Sequence, residues 1–298
     1  MLTQFLKNGI GRRTLPLFIL ISIMLLFGNA SCESVSGNQA TLDDLPAYSF
    51  TWRMAECLDD SFYDEYRQDD GQRFQRLLAF SEKLRSSGEM TFTPYTTNLV
   101  ELLSLTIPDR CMVNYGTAFA VESAYEIEGE PAVAAEAVQV TENFFDLFPV
   151  QITKGRGFTD DDYDFLGTGK IPVILGAAYK GTFSLGDRFE GYYIFERFLF
   201  EVIGFAESGK AFYSSGDSRP VSYDRYIIMP FASISEDSEM GRIILLQQIC
   251  GLVTDENGRD DALKRVNEWL AETGLADWID QFYMKDASLR TTIQYYLK

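Results

Sequence analysis

An α+β fold is what the sequence predicts, and three observations carry that expectation. Short runs rich in β-branched and aromatic residues stand beside two stretches that repeat apolar side chains at helical spacing. Glycine-containing turns separate the strand-like runs through the middle of the chain. Hydrophobic residues make up 46% and aromatics 14% of the 298 residues, enough to fill real cores.

The first element is an apolar segment. Leu15 to Phe27 reads LPLFILISIMLLF, and Thr14 to Cys32 gives 19 residues without a charge, close to the roughly 20 that cross a bilayer as a helix. Lys7, Arg12 and Arg13 precede it, while Glu33, Asp43 and Asp44 follow. The positive-inside rule then sets the N-terminus in the cytoplasm and everything after about residue 32 outside. Three readings of the segment stand: a retained single-pass anchor in the cell membrane, a cleaved signal peptide with Gly28-Asn29-Ala30 before the cut, and a lipoprotein signal at Cys32, for which Asn29 is a poor match. All three export the rest of the chain. No later run reaches spanning length, since Ile243 to Leu246 and Phe198 to Phe205 have the size of buried strands.

The exported part begins with a small, polar tether over residues 33–46. Tyr48 to Met54 reads as a strand, and Asp59 to Gly71 as an acidic turn region. A helix follows from Gln72, with Phe74, Leu77, Leu78 and Leu84 along one stripe and Gly88 ending it. Thr91 to Thr106 is extended, with a short helix an option around Leu99 to Leu105. Strands are expected at Thr117 to Glu122, Ala132 to Val140, Ile171 to Leu175, Arg188 to Tyr193 and Phe198 to Phe205, and a single helical turn at Glu142 to Leu147. Tyr226 to Phe231 and Ile243 to Ile249 read as two buried strands separated by the acidic loop Ser235 to Met240. A last helix, capped by Asp260 or Asp261, carries the stripe Leu263, Val266, Trp269 and Leu270 and stops at Gly274.

Charge and residue inventory exclude several functions. The formal net charge is −18, which repels phosphate backbones, so nucleic acid is not an expected partner. The chain has no histidine, which removes Ser-His-Asp and Cys-His catalysis and the His-containing zinc sites. Cys32, Cys57, Cys111 and Cys250 form no C-x-x-C pair; Cys57 and Cys111 are either a disulfide or buried free thiols. Gly167-Thr168-Gly169-Lys170 imitates a phosphate loop, but Asp164 and Ile171 occupy positions that need glycine and a hydroxyl. Gly155-Arg156-Gly157 opens a dinucleotide fingerprint that Asp160 ends. The acidic run Asp160 to Asp164 lacks the glycine and glutamate of a calcium loop, with Phe165 and Ile171 in their places. Acids are too abundant for any catalytic pair to stand out. No catalytic, cofactor-binding or metal-binding residue is assigned, and no cofactor is expected.

The stretch from Ala137 to Ser208 carries a family resemblance. Asn143-Phe144-Phe145, then Lys154 to Phe158 with Thr159, Pro172 to Gly176, Gly186-Asp187 and Phe200 to Gly204 follow one another in a recognisable order. Together they resemble the MacB-like periplasmic core domain of ABC-transporter permeases, of the broad FtsX/MacB class. Tyr226 to Phe231 is similar to the family's return strand, and Phe5 to Arg13 to its cytoplasmic lead into the first membrane helix. Gly155, Gly176, Gly186 and Gly204 are expected at strand ends that need a positive φ or close backbone approach.

The resemblance implies an α+β body in two subdomains outside the membrane: a mixed, porter-like unit from 47–115 and 222–298, and a β-rich insert over 116–221, after the anchor at 1–32. It implies a non-enzymatic role in which ATP-driven movement of membrane helices is passed outward to export or extract a substrate such as a peptide, lipoprotein or drug. The implied partners are the membrane, an ABC ATPase subunit, further permease helices or a permease subunit, and a second copy in a homodimer. The class has three more membrane helices after this domain, whereas the sequence ends at Lys298 without ATPase motifs. A truncated permease, a split subunit and a stand-alone descendant are the corresponding readings. The alternative from another class is a membrane-tethered binding or sensing protein unconnected with transport.

Overall fold

The computed structural model describes residues 49–54, 66, 68, 71–88, 90–113, 115, 124–213, 220–234, 237–255, 257–276 and 282–286. The apolar segment, the tether, Cys32, Cys57 and the expected strand at Thr117 to Glu122 lie outside them. No helix among the described residues is long and apolar enough to cross a membrane.

The architecture is mixed α/β. In chain order the strands are β1 (Ser49–Met54), β2 (Thr91–Leu103), β3 (Ala124–Ile127), β4 (Glu130–Val140), β5 (Ile152–Gly155), β6 (Lys170–Leu175), β7 (Arg188–Tyr193), β8 (Glu196–Ala206), β9 (Ala211–Tyr213), β10 (Pro220–Ser222), β11 (Ile227–Pro230), β12 (Gly251–Thr254) and β13 (Phe282–Asp286). The helices are α1 (Gln72–Ser86), α2 (Phe144–Leu147), α3 (Phe165–Thr168), α4 (Glu239–Gln248) and α5 (Arg259–Glu272).

Six of the strands close on themselves. β2 pairs with β4, β4 with β11, β11 with β6, β6 with β8, β8 with β7, and β7 again with β2. This ring is a small barrel, and like other small barrels it is filled by side chains. Val100, Val133, Ala135, Ala137, Ile171, Val173, Phe198, Phe200 and Ile227 occupy its interior. The alternate positions of the same strands are also covered: Val138, Val140, Ile174 and Ile228 pack on Phe144, Phe148, Phe212 and Tyr223. Burial on both faces explains why β4 reads as a nearly continuous apolar run rather than an alternating one.

A second sheet, in the order β13-β1-β12-β2, continues from the barrel through β2. Thr91 to Pro94 pair with β12, whereas Tyr95 to Leu103 pair with β4. Pro94 stands where the partner changes, and the ladder to β12 ends with it. Helices α1, α4 and α5 build a separate core on this sheet, with Phe74, Leu77, Phe80 and Leu84 from α1, Leu245 from α4, and Ala262, Val266 and Leu270 from α5. The heptad-like spacing of these residues is the physical origin of both long helices. Lys83 of α1 reaches Glu272 of α5 at 2.5 Å, and Arg76 donates to the carbonyl of Gly274 at 3.2 Å.

Three local expectations change. Ile243 to Ile249 is not a strand but most of α4, because a short apolar run cannot by itself distinguish a buried strand from a helix buried on opposite sides. The hydroxyl of Ser238 accepts from the Gly241 N–H at 2.9 Å and starts that helix inside the expected acidic loop. β2 stays extended through Leu103, with no helix at Leu99 to Leu105, since its ladder to β4 continues to Leu103↔Ala132. Helix α5 begins at Arg259 behind Gly258, so Asp260 and Asp261 occupy its first turn, where the helix dipole favours acids, rather than its cap.

Candidate functional site

The motif residues singled out in the sequence turn out to hold the fold. Thr141 and Asn143, at the exit of β4, staple it to β2 at the point of partner change. The Asn143 amide donates to Phe92 O and Thr93 Oγ1, each at 3.1 Å, while Thr141 Oγ1 donates to Pro94 O at 3.0 Å. Phe144 follows directly and is fully buried. In the next segment Arg156 grips both oxygens of the Asp162 carboxylate at 2.5 and 3.0 Å. The Thr159 N–H donates to the same carboxylate at 2.7 Å, completing a reciprocal cap on the turn Asp160–Tyr163. Burial opposes ionisation of Asp162, but the Arg156 guanidinium and the Thr159 donors outweigh it and hold the carboxyl below its usual range. The central carboxylate of the acidic run is therefore committed to an arginine and to the Thr159 donors.

The glycines behave as expected of close approach. A Cβ on Gly155, whose φ is +86°, would lie 2.1 Å from Ile203 O, and one on Gly204 would lie 2.6 Å from Arg156 O. The two face each other in the β5–β8 ladder, next to a bulge in β8. Gly169 ends α3 in the left-handed conformation, and Lys170 begins β6 paired to Glu201 at 2.7 Å, so the phosphate-loop imitation is a helix stop followed by a strand.

Chemistry is sparse elsewhere. No group of three metal-ligating side chains occurs among the described residues. Cys111 is buried, and its alternative partner Cys57 lies outside the described residues. Burial pushes the Cys111 thiol up to about 11, against the pull of Tyr179, Arg110 and Arg225, which makes it a poor nucleophile. Burial likewise raises Glu136, opposed by Arg225 at 3.6 Å, and Glu101, opposed by the Tyr125 hydroxyl at 2.5 Å. An open depression of about 560 Å³ on the outside of α5, lined by Asp260, Leu263, Lys264, Asn267, Glu268 and Ala271, gathers no convergent polar groups.

What the fold does build is a joint. Helix α4 sends Met240 and Ile244 into the barrel core and Leu245 into the core under α1 and α5, with Ile243 against both. Arg242 clamps its first turn to the Asp237 carboxylate (Nε to Oδ1 2.5 Å, Nη2 to Oδ2 2.8 Å), donates to Tyr66 O, and lies over the Tyr66 ring. At the other end Gln248 donates to Ala232 O at 2.6 Å. Beside it Gln247 meets a polar group inside the barrel wall. The Oε1 of Gln139 on β4 accepts from Asn98 Nδ2 of β2 at 2.6 Å and from the Tyr193 hydroxyl of β7 at 2.5 Å. The Oε1 of Gln247 lies 3.4 Å from that same Asn98 Nδ2 and 3.3 Å from the Tyr193 hydroxyl, and its Nε2 lies 3.3 Å from Asn98 Oδ1. Sequence reasoning missed this group. Its one visible signal was Gln139, a polar residue in phase with the inward Val133, Ala135 and Ala137.

The fold thus joins the barrel core and the core under α1 and α5 along one strand and one helix. Comparison with known proteins gives this fold a family. The family model for the MacB-like periplasmic core domain matches residues 63–268, and the chain belongs to that family. It is thus the periplasmic type of domain found in ABC-transporter permeases, an extracytoplasmic part of a membrane protein. Among solved structures it is similar to the periplasmic region of MacB from Actinobacillus actinomycetemcomitans, at 14% identity and a TM-score of 0.43, covering 89% of this chain and 98% of that one. It is also similar to the extracellular domain of the noncanonic ABC-type transporter YknZ from Gram-positive bacteria, at 13% identity and a TM-score of 0.39, covering 80% of this chain and 100% of that one. No curated protein matches.

Proposed function

We propose that this body is a non-catalytic coupling domain, which takes up ATP-driven movement of membrane helices and converts it into movement of a substrate on the outer side. The observation that carries this reading is the sharing of α4 and β2 between two cores, because a displacement applied to one core reaches the other through packed side chains rather than through a loose linker. The chain would be held by a single N-terminal anchor from Thr14 to Cys32, with Lys7, Arg12 and Arg13 on the cytoplasmic side. Its organisation is a porter-like unit from 47–115 and 222–298 around a β-rich insert over 116–221. In support, the sheet β13-β1-β12 and the helices α1, α4 and α5 draw only on early and late parts of the chain.

The proposed partners are an ABC ATPase subunit, further permease helices or a permease subunit, and a second copy of the chain; membership of the family supports the first of these. Affinity capture of the tagged full-length chain from detergent-solubilised membranes tests this. An ABC ATPase or a polytopic permease subunit is expected to co-purify. Recovery of the chain without either, under mild detergent and after cross-linking, would favour a membrane-tethered sensing protein instead.

A further inference from the structure

At the tip of the β7–β8 hairpin we infer a docking site for a partner polypeptide that presents lysine or arginine beside an apolar pocket, with Phe195 as the side chain that enters the pocket.

The last register pair of this hairpin is Tyr193↔Glu196, so Ile194 and Phe195 alone make the turn. Their φ angles are +46° and +66°, and a type I′ turn requires positive φ at both of its central positions. Asparagine and glycine normally stand there, because a bulky or β-branched residue is strained in the left-handed region. The β3–β4 hairpin turns in the same way at Glu128-Gly129 and places glycine second. The β7–β8 turn places phenylalanine second.

The two strained residues differ in what offsets the strain. Ile194 is 8% exposed and belongs to the barrel core, so burial compensates its backbone. Phe195 is 39% exposed and, unlike its neighbours Tyr193 and Phe198, meets no aromatic ring among the described residues. A single exposed phenylalanine is ordinary where the backbone accepts any residue. Here the backbone disfavours it and much of the ring lies in water, so folding does not account for it. Strained positions of this kind cluster at sites that bind, and aromatic rings that become buried on contact are what anchors an interface.

Charge selects the kind of partner. Residues 126–130 and 190–197, which form the two hairpin tips, contain five glutamates and one arginine. The tips are tied to each other: the Tyr192 hydroxyl donates to Glu128 at 3.1 Å, and Arg197 joins Glu130 at 2.8 Å to Glu190. The arginine is therefore already neutralised, and the rim around Phe195 stays acidic. Such a rim complements a cationic surface. It repels anionic lipid, and a second copy of a chain with net charge −18 is disfavoured in the same way.

Replacing Phe195 by the photo-reactive p-benzoylphenylalanine, in the full-length chain in intact host cells, tests the site. The readout concerns this surface alone, whether or not an ATPase is recovered with the chain. Irradiation should give one polypeptide adduct, and mass spectrometry should locate it in a segment carrying lysine or arginine. Adding Glu128→Lys and Glu196→Lys should cut its yield by about tenfold. The same photoprobe at Leu185, equally exposed on another loop, should not give that adduct. No adduct, an adduct only with lipid or with a second copy of the chain, or a yield indifferent to the charge reversals overturns the proposal. A second measurement separates docking from folding. Asparagine suits the left-handed region, so Phe195→Asn should melt no more than about 4 °C below the parent chain in detergent micelles. A larger drop would show that the ring serves the fold, and would overturn the proposal as well.

Discussion

Phe144 and Phe145 are adjacent, chemically identical, and sharply different in what they touch, so the pair offers a self-controlled measure of how the return from β4 is held. Phe144 is fully buried, with its ring centroid 5.1–6.4 Å from those of Tyr95, Phe145, Phe148, Phe212 and Tyr223. Phe145 is half-buried and meets only Phe144 at 5.6 Å and Phe158 at 6.4 Å among the ring contacts described. Truncating a fully enclosed phenylalanine removes its transfer free energy and leaves a cavity, a loss of about 3–5 kcal/mol. Truncating the half-buried neighbour forfeits part of its area and little cavity energy, about 1–2 kcal/mol. Urea denaturation of the full chain in detergent micelles, followed by tryptophan fluorescence, should place Phe144→Ala well below Phe145→Ala in midpoint with similar slopes. In thermal melts the gap should be on the order of 10 °C or less. If the two substitutions fall within about 1 kcal/mol of each other, the aromatic cluster is not what fixes this corner and the reasoning fails.

Two further outcomes follow from the electrostatics. Asp162 has its folded pKa held below the ordinary 3.8 chiefly against burial and by Arg156 and Thr159, so its stabilising share is complete above that value and disappears as pH falls through the lower folded value. Arg156→Ala should therefore lower stability at neutral pH by a modest amount, because the pair is partly solvated, and flatten the acid limb below about pH 4 by the same amount; an unchanged acid limb would contradict the assignment. Cys111, with its thiol at about 11, should resist alkylation at pH 8, where a thiolate fraction on the order of one in a thousand remains. Peptide mapping after brief maleimide treatment should find it labelled only in unfolded protein, and equal labelling in native and denatured samples would count against its burial.

Much of the fold was legible because its periodicities are local. Helix α1 announced itself through Phe74, Leu77 and Leu84, and β4, β6, β7, β8 and β11 through short β-branched and aromatic runs closed by glycine or proline. Helix α4 was not legible for a physical reason. It is apolar on two sides because it serves two cores, which erases the one-sided stripe that marks a surface helix. Closure of the barrel was hidden too, since β4 and β11 pair in parallel across nearly a hundred residues of chain. The polar group of the joint drew on Asn98, Gln139, Tyr193 and Gln247, four residues of unremarkable type whose meaning lies in their meeting. Asn143, Arg156 and Asp162 were recognisable as motif, but only geometry gave them their work as staples.

The route of β2 through two sheets has a consequence for how the protein comes into being. Every strand of the closed ring lies between Thr91 and Pro230, so that ring can finish while the last part of the chain is still being made. β1 cannot: its register partner for Ser49 is Thr254, some two hundred residues later. As the chain emerges from its N-terminal end, β1 must wait for β12 and β13, beside a ring of strands whose core α4 has still to finish. In that interval the stretch of β2 from Thr91 to Pro94 still lacks its β12 neighbour.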